Sequence, residues 1–351
     1  MKKIVLAIFT LQGNGAERFA LTMAKALSDS GHEAHLVYFK DMIELPIPSN
    51  INLHFFNYQK YRKIPRSFRS IIASKAFDKF ILNHIGEPDL VLSNLYPVDM
   101  ILAKSTLKNV HLVIHNTLSQ EYASTLTPSL VSKLEKTYQS KPCIAVSEGV
   151  KQDFIELFGL KSNIQTIHNP IDIEAVKTGA DEFIPSHQNY IVHVGKFKAQ
   201  KRHDILIKAY ALANIPQKLV LVGTGNLLAE AKQLVADLEI ENDVVFAGFQ
   251  KNPYPFIKNA DLMVVSSDFE GFSIAILEAL ALETPVISTD CPSGPNEILP
   301  PKNLVPVGDI EALATKLQQS TINPTKHFTV LSNDFSPKNT VTKYLQLISH
   351  I

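Results

Sequence analysis

The sequence predicts an α/β protein of two domains, each a parallel β-sheet covered by helices. Three observations support this fold class. The chain has 351 residues, which at ~100–200 residues per domain corresponds to two domains. Short β-rich runs alternate with helical patterns along its whole length, and this alternation is typical of parallel sheets. The series of strands ends near Ile167 and begins again at Tyr190, which indicates two sheets rather than one.

The predicted strands are short and apolar. The chain opens with an apolar run of strand length within residues 1–9, a glycine turn at 13–18 and a helical pattern over 19–27. This order argues against a secretory signal peptide, which the basic start and short apolar run also resemble. Further strands are predicted at 33–39, 90–93, 111–115, 143–146 and 164–167 in the first half, and at 190–194, 218–223, 244–247, 262–266 and 285–289 in the second. Each half is therefore expected to form a doubly wound, Rossmann-like unit.

Composition and charge exclude several classes of protein. Apolar residues make up 45% and charged residues 19% of the chain, which indicates a packed globular protein rather than a disordered one. Lys+Arg and Asp+Glu number 34 each, so the chain is not a globally basic nucleic-acid-binding protein. No apolar run approaches the ~18 residues of a transmembrane helix. Cys143 and Cys291 stand far apart in no metal-ligand spacing, which fits a reducing cytoplasm.

The net charge of zero hides an uneven distribution. Residues 1–172 carry 19 Lys+Arg against 15 Asp+Glu, and the remaining residues carry 15 against 19. Most of the excess lies in segment 60–79, where basic residues, Lys63, Arg66 and Arg69 among them, alternate with apolar ones. We interpret this segment as a basic amphipathic helix. In one interpretation, the apolar stripe of this helix packs on its own sheet. In the other, the basic face contacts anionic lipid headgroups or a lipid-linked phosphate, and the two interpretations are compatible.

The domain boundary is predicted in the polar, Pro- and Gly-containing region 169–187, which we interpret as a hinge and the floor of a cleft. The first domain is then residues 1–172 and the second residues 173–335. Residues 336–351 contain the pattern of a last amphipathic helix, which we add to the first domain.

In doubly wound sheets, ligands bind beyond the carboxyl ends of the strands, so the strand-to-helix loops are the candidate site. The first loop, 13–18, lacks the third glycine of the dinucleotide fingerprint, but its tight turn leads into a helix N-terminus, which favours an anion. The second, 196–203, brings three lysines and an arginine to one strand end and is either a solvated basic loop or a phosphate site. The third, 221–226, contains Gly223 and alone indicates only a turn.

The fourth loop is the most specific feature of the chain. A strand at 262–266 is followed by a carboxylate, a glycine and an apolar helix that carries a single glutamate. This glutamate either turns outward on a narrow polar stripe or is buried with partners such as ribose hydroxyls. The N–H groups near the helix start would face phosphate oxygens. The residues concerned are Glu270, Gly271, Phe272, Ser273 and, farther along the helix, Glu278.

Taken in order, these motifs resemble those of a retaining glycosyltransferase of family 4, over nearly the whole chain. The resemblance rests on the turn at 15–18, Ile114-His115-Asn116, residues 146–150 and 168–172, Val194-Gly195-Lys196 with Gln200-Lys201, the Glu-x7-Glu arrangement of Glu270 and Glu278, and residues 284–289. It implies the GT-B fold, in which two Rossmann-like, doubly wound domains face each other across a cleft and a final helix crosses back to the first domain.

The resemblance also implies roles for individual residues. The second domain would hold a nucleotide sugar, most often a UDP-sugar, and the first would present the acceptor. Lys196 and Lys201 would bind the donor diphosphate, although the family commonly has arginine at the first position and lysine lacks its bidentate geometry. Glu270 would face hydroxyls of the donor sugar, and Glu278 the ribose. The implied catalytic set is His115, Glu270 and Lys201, and the remaining donor-binding residues are Gly15, Gly223, Gly271, Phe272 and Ser273.

A mechanism follows from these roles. Because Glu270 is expected on the sugar rim and Glu278 on the ribose side, no pair of carboxylates flanks the scissile bond to form a covalent glycosyl-enzyme. We expect front-face attack by the acceptor hydroxyl with retention of configuration. The departing diphosphate takes the proton, and Lys196, Lys201 and helix N-termini stabilise its charge. No metal and no cofactor are required, and the sequence has no Asp-x-Asp motif.

Two alternatives are a nucleotide-sugar epimerase of the same fold and a non-catalytic regulator that binds sugar nucleotides or lipids; Glu270, Glu278 and Lys201 favour the transferase. Segment 290–299 resembles that of bacterial enzymes that add galactose-type or N-acetylhexosamine sugars to surface polysaccharides and lipid-linked oligosaccharides, and it is either a rigid loop or a donor contact. The expected partners are a UDP-sugar, a glycan or lipid-linked glycan such as a lipopolysaccharide or capsule precursor, and an anionic membrane, but no nucleic acid. The expected location is the cytoplasm or the inner face of the cell membrane.

Overall fold

The computed structural model describes residues 1–159 and 163–348, which form two compact units. The first unit comprises residues 1–170 together with the chain from Asn333 onward, and the second comprises residues 171–332. These divisions lie within a few residues of the boundaries expected from the sequence. The assignment of acceptor and donor binding to the two domains stays a prediction.

The first unit, in the part of the chain that the structure describes, contains a seven-stranded parallel sheet. Its strands are β1 (Lys3–Ile8), β2 (Glu33–Tyr38), β3 (Asn52–Phe55), β4 (Leu90–Asn94), β5 (Val110–Ile114), β6 (Cys143–Ala145) and β7 (Ile164–Thr166). In space they lie in the order β3-β2-β1-β4-β5-β6-β7. The central strands are buried almost throughout, as expected of a parallel sheet covered by helices on both faces.

Helices alternate with these strands. They are α1 (Gly15–Asp29), α2 (Arg66–His84), α3 (Tyr96–Leu102), α4 (Leu118–Glu121), α5 (Pro128–Tyr138) and α6 (Glu148–Phe158), with a 3-10 helix at Tyr58–Lys63 before α2. Helix α1 buries one face, including Phe19, Met23 and Leu27, which follows from its apolar residues at helical spacing.

The second unit, residues 171–332, contains a six-stranded parallel sheet, and the structure describes all of its residues. The strands are β8 (Tyr190–Val194), β9 (Lys218–Val222), β10 (Val244–Gly248), β11 (Leu262–Val265), β12 (Val286–Thr289) and β13 (Leu304–Val305), in the spatial order β10-β9-β8-β11-β12-β13. The helices are α7 (Ile173–Ala180), α8 (His203–Ala213), α9 (Leu228–Asp237), α10 (Tyr254–Lys258), α11 (Ile274–Ala281), α12 (Pro295–Ile298) and α13 (Ile310–Ile322). Separate apolar clusters cover the two faces of the sheet.

The region predicted as a hinge, 169–187, is not all loop. It contains α7, whose buried Val176 and Ala180 belong to a face that packs on α10 and α11 of the second unit. Asp172 caps this helix by accepting from the N–H of Ala175 at 3.1 Å. One of the polar residues that indicated a boundary, Asp172, is therefore the N-cap of a short helix.

The last helix, α14 (Pro337–Gln346), belongs to the first unit and packs on α1. Its Tyr344 is fully buried, and the ring lies 6.2 Å from that of Phe19, measured between centroids. The predicted return of the final helix to the first domain is confirmed.

Two strands were not predicted from the sequence. β3 is a four-residue edge strand with no fully buried residue, and β13 has only two residues. Neither has the apolar run that marks the central strands, and both are recruited by pairing with a neighbour, β2 and β12 respectively. Among residues 1–159 and 163–348, no helix has the length and apolar character needed to cross a bilayer.

Candidate active site

The topology of the second sheet brings two of the candidate loops together. The strand order reverses between β8 and β11. In doubly wound sheets, ligands bind at such a switch point, beyond the carboxyl ends of the two strands. Here the loop 196–202 after β8 is bonded to the loop 266–273 after β11. The N–H of Asp268 donates to the carbonyl of Gln200 at 2.9 Å, and the Gln200 amide donates to the carbonyl of Phe269 at 2.7 Å. The two loops therefore form one candidate site.

Lys201 and Glu270 form an ion pair at the centre of this site. The Lys201 Nζ lies 2.6 Å from Glu270 Oε1, and their side chains are only 18% and 8% exposed. Ser267 Oγ donates to the same carboxylate oxygen at 2.7 Å. Burial disfavours the ionised carboxylate, but the charge of Lys201 and the hydrogen bonds from Lys201 and Ser267 outweigh it and lower the pKa of Glu270. The site thus holds a buried carboxylate that favours its ionised form and is paired with the largely buried Lys201.

Arg202 serves to hold the loop in shape. Its guanidinium bonds Asp268 through Nη1 at 2.9 Å and Asp204 through Nε at 2.9 Å, and these hydrogen bonds and charges raise its pKa. The residue adopts a left-handed backbone conformation with φ of 46°. Of the cations in the predicted basic loop, Arg202 is therefore neutralised by two carboxylates, whereas Lys196 extends from an exposed position.

The third loop packs directly on the second. A Cβ at Gly223, whose φ is 148°, would lie 2.0 Å from the carbonyl oxygen of Gly195, and a Cβ at Gly225 would lie 2.3 Å from that of Phe197. Phe197 also donates its N–H to the carbonyl of Thr224 at 3.0 Å. These close approaches account for both glycines structurally, and a donor contact of Gly223 stays a prediction.

Helix α11 carries the rest of the fourth loop's residues. It begins at Ile274, directly after Ser273, and Phe272 and Ser273 are both buried. Glu278 is 3% exposed, so the structure decides for the buried glutamate over the outward polar stripe. A contact of this carboxylate with the donor ribose stays a prediction.

Two buried histidines beneath this site were missed by the sequence analysis. His193 on β8 donates from Nδ1 to the carbonyl of Val264 at 2.8 Å, and the ring of His203 stacks on Phe197 at 3.9 Å. Burial lowers the pKa of His193 to about 4 and that of His203 to about 2. Both imidazoles are therefore neutral. A lone histidine in a strand or at a helix start gives no sequence signal that separates such a packing role from a functional one.

These histidines predict a loss of stability in acid. The unfolded chain binds a proton on each imidazole below the ordinary histidine pKa of 6.5, whereas the folded protein does not until far lower pH. Stability is therefore fully present above pH 6.5 and falls as the pH decreases, by up to ~1.4 kcal/mol per pH unit for each imidazole. We expect the melting temperature to drop between pH 7 and pH 4.5. The variant His203→Gln should show a shallower pH dependence, and the half-exposed control His187→Gln the wild-type dependence; equal slopes for all three proteins would contradict this account.

In the first unit, the switch point lies between β1 and β4, and Asn94 at the end of β4 links β1 to His115. The Asn94 amide donates to the carbonyl of Ala7 at 3.2 Å, which leaves its Oδ1 to accept from His115 Nε2 at 2.9 Å. Nε2 then carries the proton, and burial lowers the pKa of His115 to about 3. His115 is held as a neutral imidazole in one tautomer. Asn94, which fixes it, was missed because 21 residues separate the two in sequence.

The glycine turn before α1 is shaped by Glu17. Its carboxylate is fully buried and accepts from the Asn14 N–H at 2.7 Å and from the Thr10 hydroxyl, so it closes the turn onto the helix start. Gly13 has φ of 103°, which favours glycine. Gly15 is exposed, and a Cβ there would meet open space, so backbone approach by a ligand remains sterically free.

The basic segment forms the 3-10 turn and α2, and its apolar residues split into two sets. Ala73, Phe77 and Ile81 are buried against the unit, whereas Phe68, Ile71, Ile72 and Leu82 are 61%, 43%, 42% and 51% exposed. Lys63 and Arg66 are exposed. Arg69 is half-buried and donates to the carbonyls of Arg62 and Ile64, so its guanidinium also holds the turn before α2. The buried residues agree with packing of the helix on its own unit, and the exposed apolar residues leave a face that could contact lipid.

The predicted site residues are divided between the two units. The second unit contains Lys196, Lys201, Gly223, Glu270, Gly271, Phe272, Ser273 and Glu278, while Gly15, His115 and the basic segment lie in the first. Within the described ranges, no group of three or more His, Cys, Asp or Glu side chains is arranged to hold a metal ion. Metal independence stays a prediction.

Comparison with known proteins shows the family. A sequence profile described as Glycosyltransferase Family 4 matches residues 13–175, and one described as Glycosyl transferases group 1 matches residues 177–333. The N-acetylgalactosamine-N,N'-diacetylbacillosaminyl-diphospho-undecaprenol 4-alpha-N-acetylgalactosaminyltransferase of Campylobacter jejuni is 30% identical over 306 residues, which cover 85% of this chain and 83% of that protein. The chain belongs to the family 4 glycosyltransferases. This glycosyltransferase is also 31% identical over 189 residues to the lipopolysaccharide 1,6-galactosyltransferase of Escherichia coli, a match that covers 50% of this chain and 51% of that one.

Solved structures confirm the predicted GT-B fold of the glycosyltransferase. The Anabaena protein HepE, in complex with UDP and glucose, superimposes with a TM-score of 0.75 at 18% identity, covering 99% of this chain and 98% of that one. TarM of Staphylococcus aureus, in complex with UDP and saccharide ligands, gives a TM-score of 0.74 at 14% identity, covering 99% and 96%. At such identities these matches establish the fold alone. The family assignment decides for a transferase over the epimerase and the non-catalytic regulator.

Proposed function

We propose that this glycosyltransferase moves a hexose or N-acetylhexosamine from a UDP-sugar to a lipid-linked oligosaccharide or lipopolysaccharide precursor, with retention of configuration. The observation that carries the proposal is the Lys201–Glu270 ion pair beside the N-terminus of α11. A largely buried ammonium near a helix start suits a diphosphate, and a carboxylate bonded by Lys201 and Ser267 suits sugar hydroxyls.

The comparisons support the donor and acceptor classes. HepE and TarM were solved with UDP, which favours a uridine nucleotide here. The names of the Campylobacter and Escherichia relatives specify an N-acetylgalactosaminyl and a galactosyl transfer, to a diphospho-undecaprenol glycan and to lipopolysaccharide. Both sugars belong to the class that segment 290–299 indicated from the sequence.

We infer a front-face mechanism from the charges of the site. Glu270 is committed to Lys201 and Ser267, so it orients the donor sugar rather than attacking it. Lys201, Lys196 and the N–H groups at the start of α11 stabilise the departing diphosphate, which takes the proton of the acceptor hydroxyl. The neutral His115, with the proton fixed on Nε2 by Asn94, serves as a hydrogen-bonding group rather than as a general acid. No step requires a metal.

The outer face of α2 supports peripheral membrane contact. Phe68, Ile71, Ile72 and Leu82 recur at helical spacing on one face, and Lys75 and Lys79 share that face. Apolar side chains flanked by lysines are typical of helices that lie in the interface of an anionic bilayer. A lipid-linked acceptor is held at such an interface, so this face would bring the enzyme to its substrate.

A donor screen tests the proposed function. The protein is incubated with UDP-galactose, UDP-glucose, their N-acetylated amino-sugar analogues and GDP-mannose, and released nucleotide is measured with and without a lipid-linked disaccharide diphosphate. We expect slow release from one UDP-sugar alone and faster release with acceptor, in buffer containing EDTA. The product's anomeric configuration is read by NMR. Tight UDP binding without any release would contradict the transferase, and a strict need for Mn²⁺ would contradict the metal-free mechanism.

A further inference from the structure

The turn formed by residues 290–295, after β12, is the part of the sequence motif that the proposed mechanism does not yet use. Sequence reasoning left it open as a rigid loop or a donor contact. In the structure, two of its residues, Ser293 and Gly294, lie against the main chain of the loop 266–273.

Ser293 is joined to the main chain of Glu270. The side chain is fully buried, and its Oγ donates to the carbonyl oxygen of Glu270. The buried thiol of Cys291 lies 3.7 Å from the carbonyl of Ser293 and donates to it, which holds the turn in place. Burial raises the pKa of Cys291, so the thiol keeps its proton. The peptide that carries the Glu270 side chain is therefore tied to Ser293.

Gly294 lies against the next residues of the same loop. Its φ is 87°, and a Cβ added there would lie 3.2 Å from Phe272 Cα, 3.3 Å from Gly271 O and 3.3 Å from Ser273 N. All three neighbours are main-chain atoms, which cannot swing aside as the end of a flexible side chain would. A side chain at Gly294 would push the backbone that leads into α11.

The loop 266–273 is thus held by two sets of hydrogen bonds. In the first set, Gln200 bonds the main chain at Asp268 and Phe269, and Lys201 bonds the Glu270 carboxylate. In the second set, Thr289 Oγ1 donates to the carbonyl of Ser267 at 2.6 Å, and Ser293 donates to that of Glu270. The first set fixes the carboxylate, and the second fixes the peptide from which it extends.

We propose that Ser293 and Gly294 are positioning residues for the donor. Ser293 fixes the Glu270 carboxylate against the sugar, and Gly294 sets the position of the main chain that faces the diphosphate. The inference rests on the proposed function of this site, because it assigns the two residues to different parts of a UDP-sugar. It follows that changes at the two positions separate sugar handling from nucleotide binding.

The test compares Ser293→Ala, Ser293→Thr and Gly294→Ala in the full chain. For each, the Kd of UDP is measured by calorimetry, and kcat and KM are measured by nucleotide release from the UDP-sugar preferred by the wild type. We expect Ser293→Ala to lower kcat at least ~10-fold with the UDP Kd within about twofold of wild type, since displacements of ~1 Å cost up to ~10²-fold in rate. Ser293→Thr keeps the hydroxyl and should recover most of kcat. Gly294→Ala should weaken UDP about tenfold, as the loss of one charged hydrogen bond does.

Thr284→Val is the matched control. It removes another buried hydroxyl of the second unit that donates to a carbonyl, that of Ile257, at 2.9 Å and outside the two loops. Its melting temperature should fall with no change in kcat. A kcat for Ser293→Ala within twofold of wild type, or a loss that Ser293→Thr does not recover, overturns the inference even if Gly294→Ala fails to fold. If the wild type neither binds UDP nor releases nucleotide, the proposed function fails as well, and the two failures are thereby distinguished.

Discussion

Replacing Lys201 by methionine is expected to lower nucleotide release from the donor by ~10²–10³-fold, the range measured when one stabilising group is removed from a developing negative charge. Methionine keeps most of the aliphatic packing of the lysine and removes only its charge. The buried Glu270 carboxylate then loses its partner at 2.6 Å. We expect both the UDP Kd and kcat to deteriorate, because the ammonium serves the diphosphate in the ground state and in the transition state.

The same substitution should also destabilise the protein. The pair is mostly buried, so the loss in free energy of unfolding should lie between the ~1 kcal/mol of an exposed ion pair and the ~3–5 kcal/mol of a fully buried one. Adding Glu270→Gln removes the uncompensated charge, and the double variant should regain melting temperature without regaining activity. Lys218→Met, at the exposed amino end of β9, is the control that should change neither property. Wild-type release by Lys201→Met together with a lowered melting temperature would make the pair purely structural.

Most of the fold could be predicted because each central strand has a local sequence signal. These strands are short, mostly apolar runs, and such runs are typical of strands that are buried on both faces of a parallel sheet; they are β1, β4, β5, β8 and β11. The edge strands β3 and β13 have no such run, since their pairing depends on a neighbour that is already in place. The return of α14 to the first unit came from the family resemblance rather than from any property of the helix itself.

The candidate site was predictable as a set of loops but not as a set of partners. The sequence placed four cations in one loop, yet it contained nothing to show that Arg202 would be neutralised by Asp268, 66 residues away. It left Glu278 open between surface and interior, and tertiary packing decided the matter. Asn94 and Ser267 lie in no motif that the sequence analysis assigned to the site, and Ser293 lies in a segment, 290–299, whose role the sequence left open. Each acts by one hydrogen bond to a residue that was predicted, so only the folded chain identifies them.

The exposed face of α2 yields the other large effect. The triple variant Phe68→Ser, Ile71→Ser and Ile72→Ser should reduce binding to vesicles of phosphatidylglycerol and phosphatidylcholine by ~10²-fold. Each apolar side chain enters the interface only in part, and its loss should cost ~1 kcal/mol of binding free energy. Because all three side chains are exposed, the melting temperature should stay unchanged. Sedimentation with vesicles measures the binding, and nucleotide release without acceptor should keep its wild-type rate.

The charge on this face should contribute separately. Replacing Lys75 and Lys79 by serine is expected to remove ~1 kcal/mol each of attraction to anionic lipid, an effect that added salt or neutral vesicles should abolish. Arg69 is unsuitable for this test because it holds the carbonyls of Arg62 and Ile64. Leu212→Ser, on the exposed face of α8, controls for the general effect of removing a surface apolar residue. If the wild type does not sediment with anionic vesicles, or if Leu212→Ser weakens binding as much as the triple variant does, α2 is a surface helix whose apolar residues have no lipid partner.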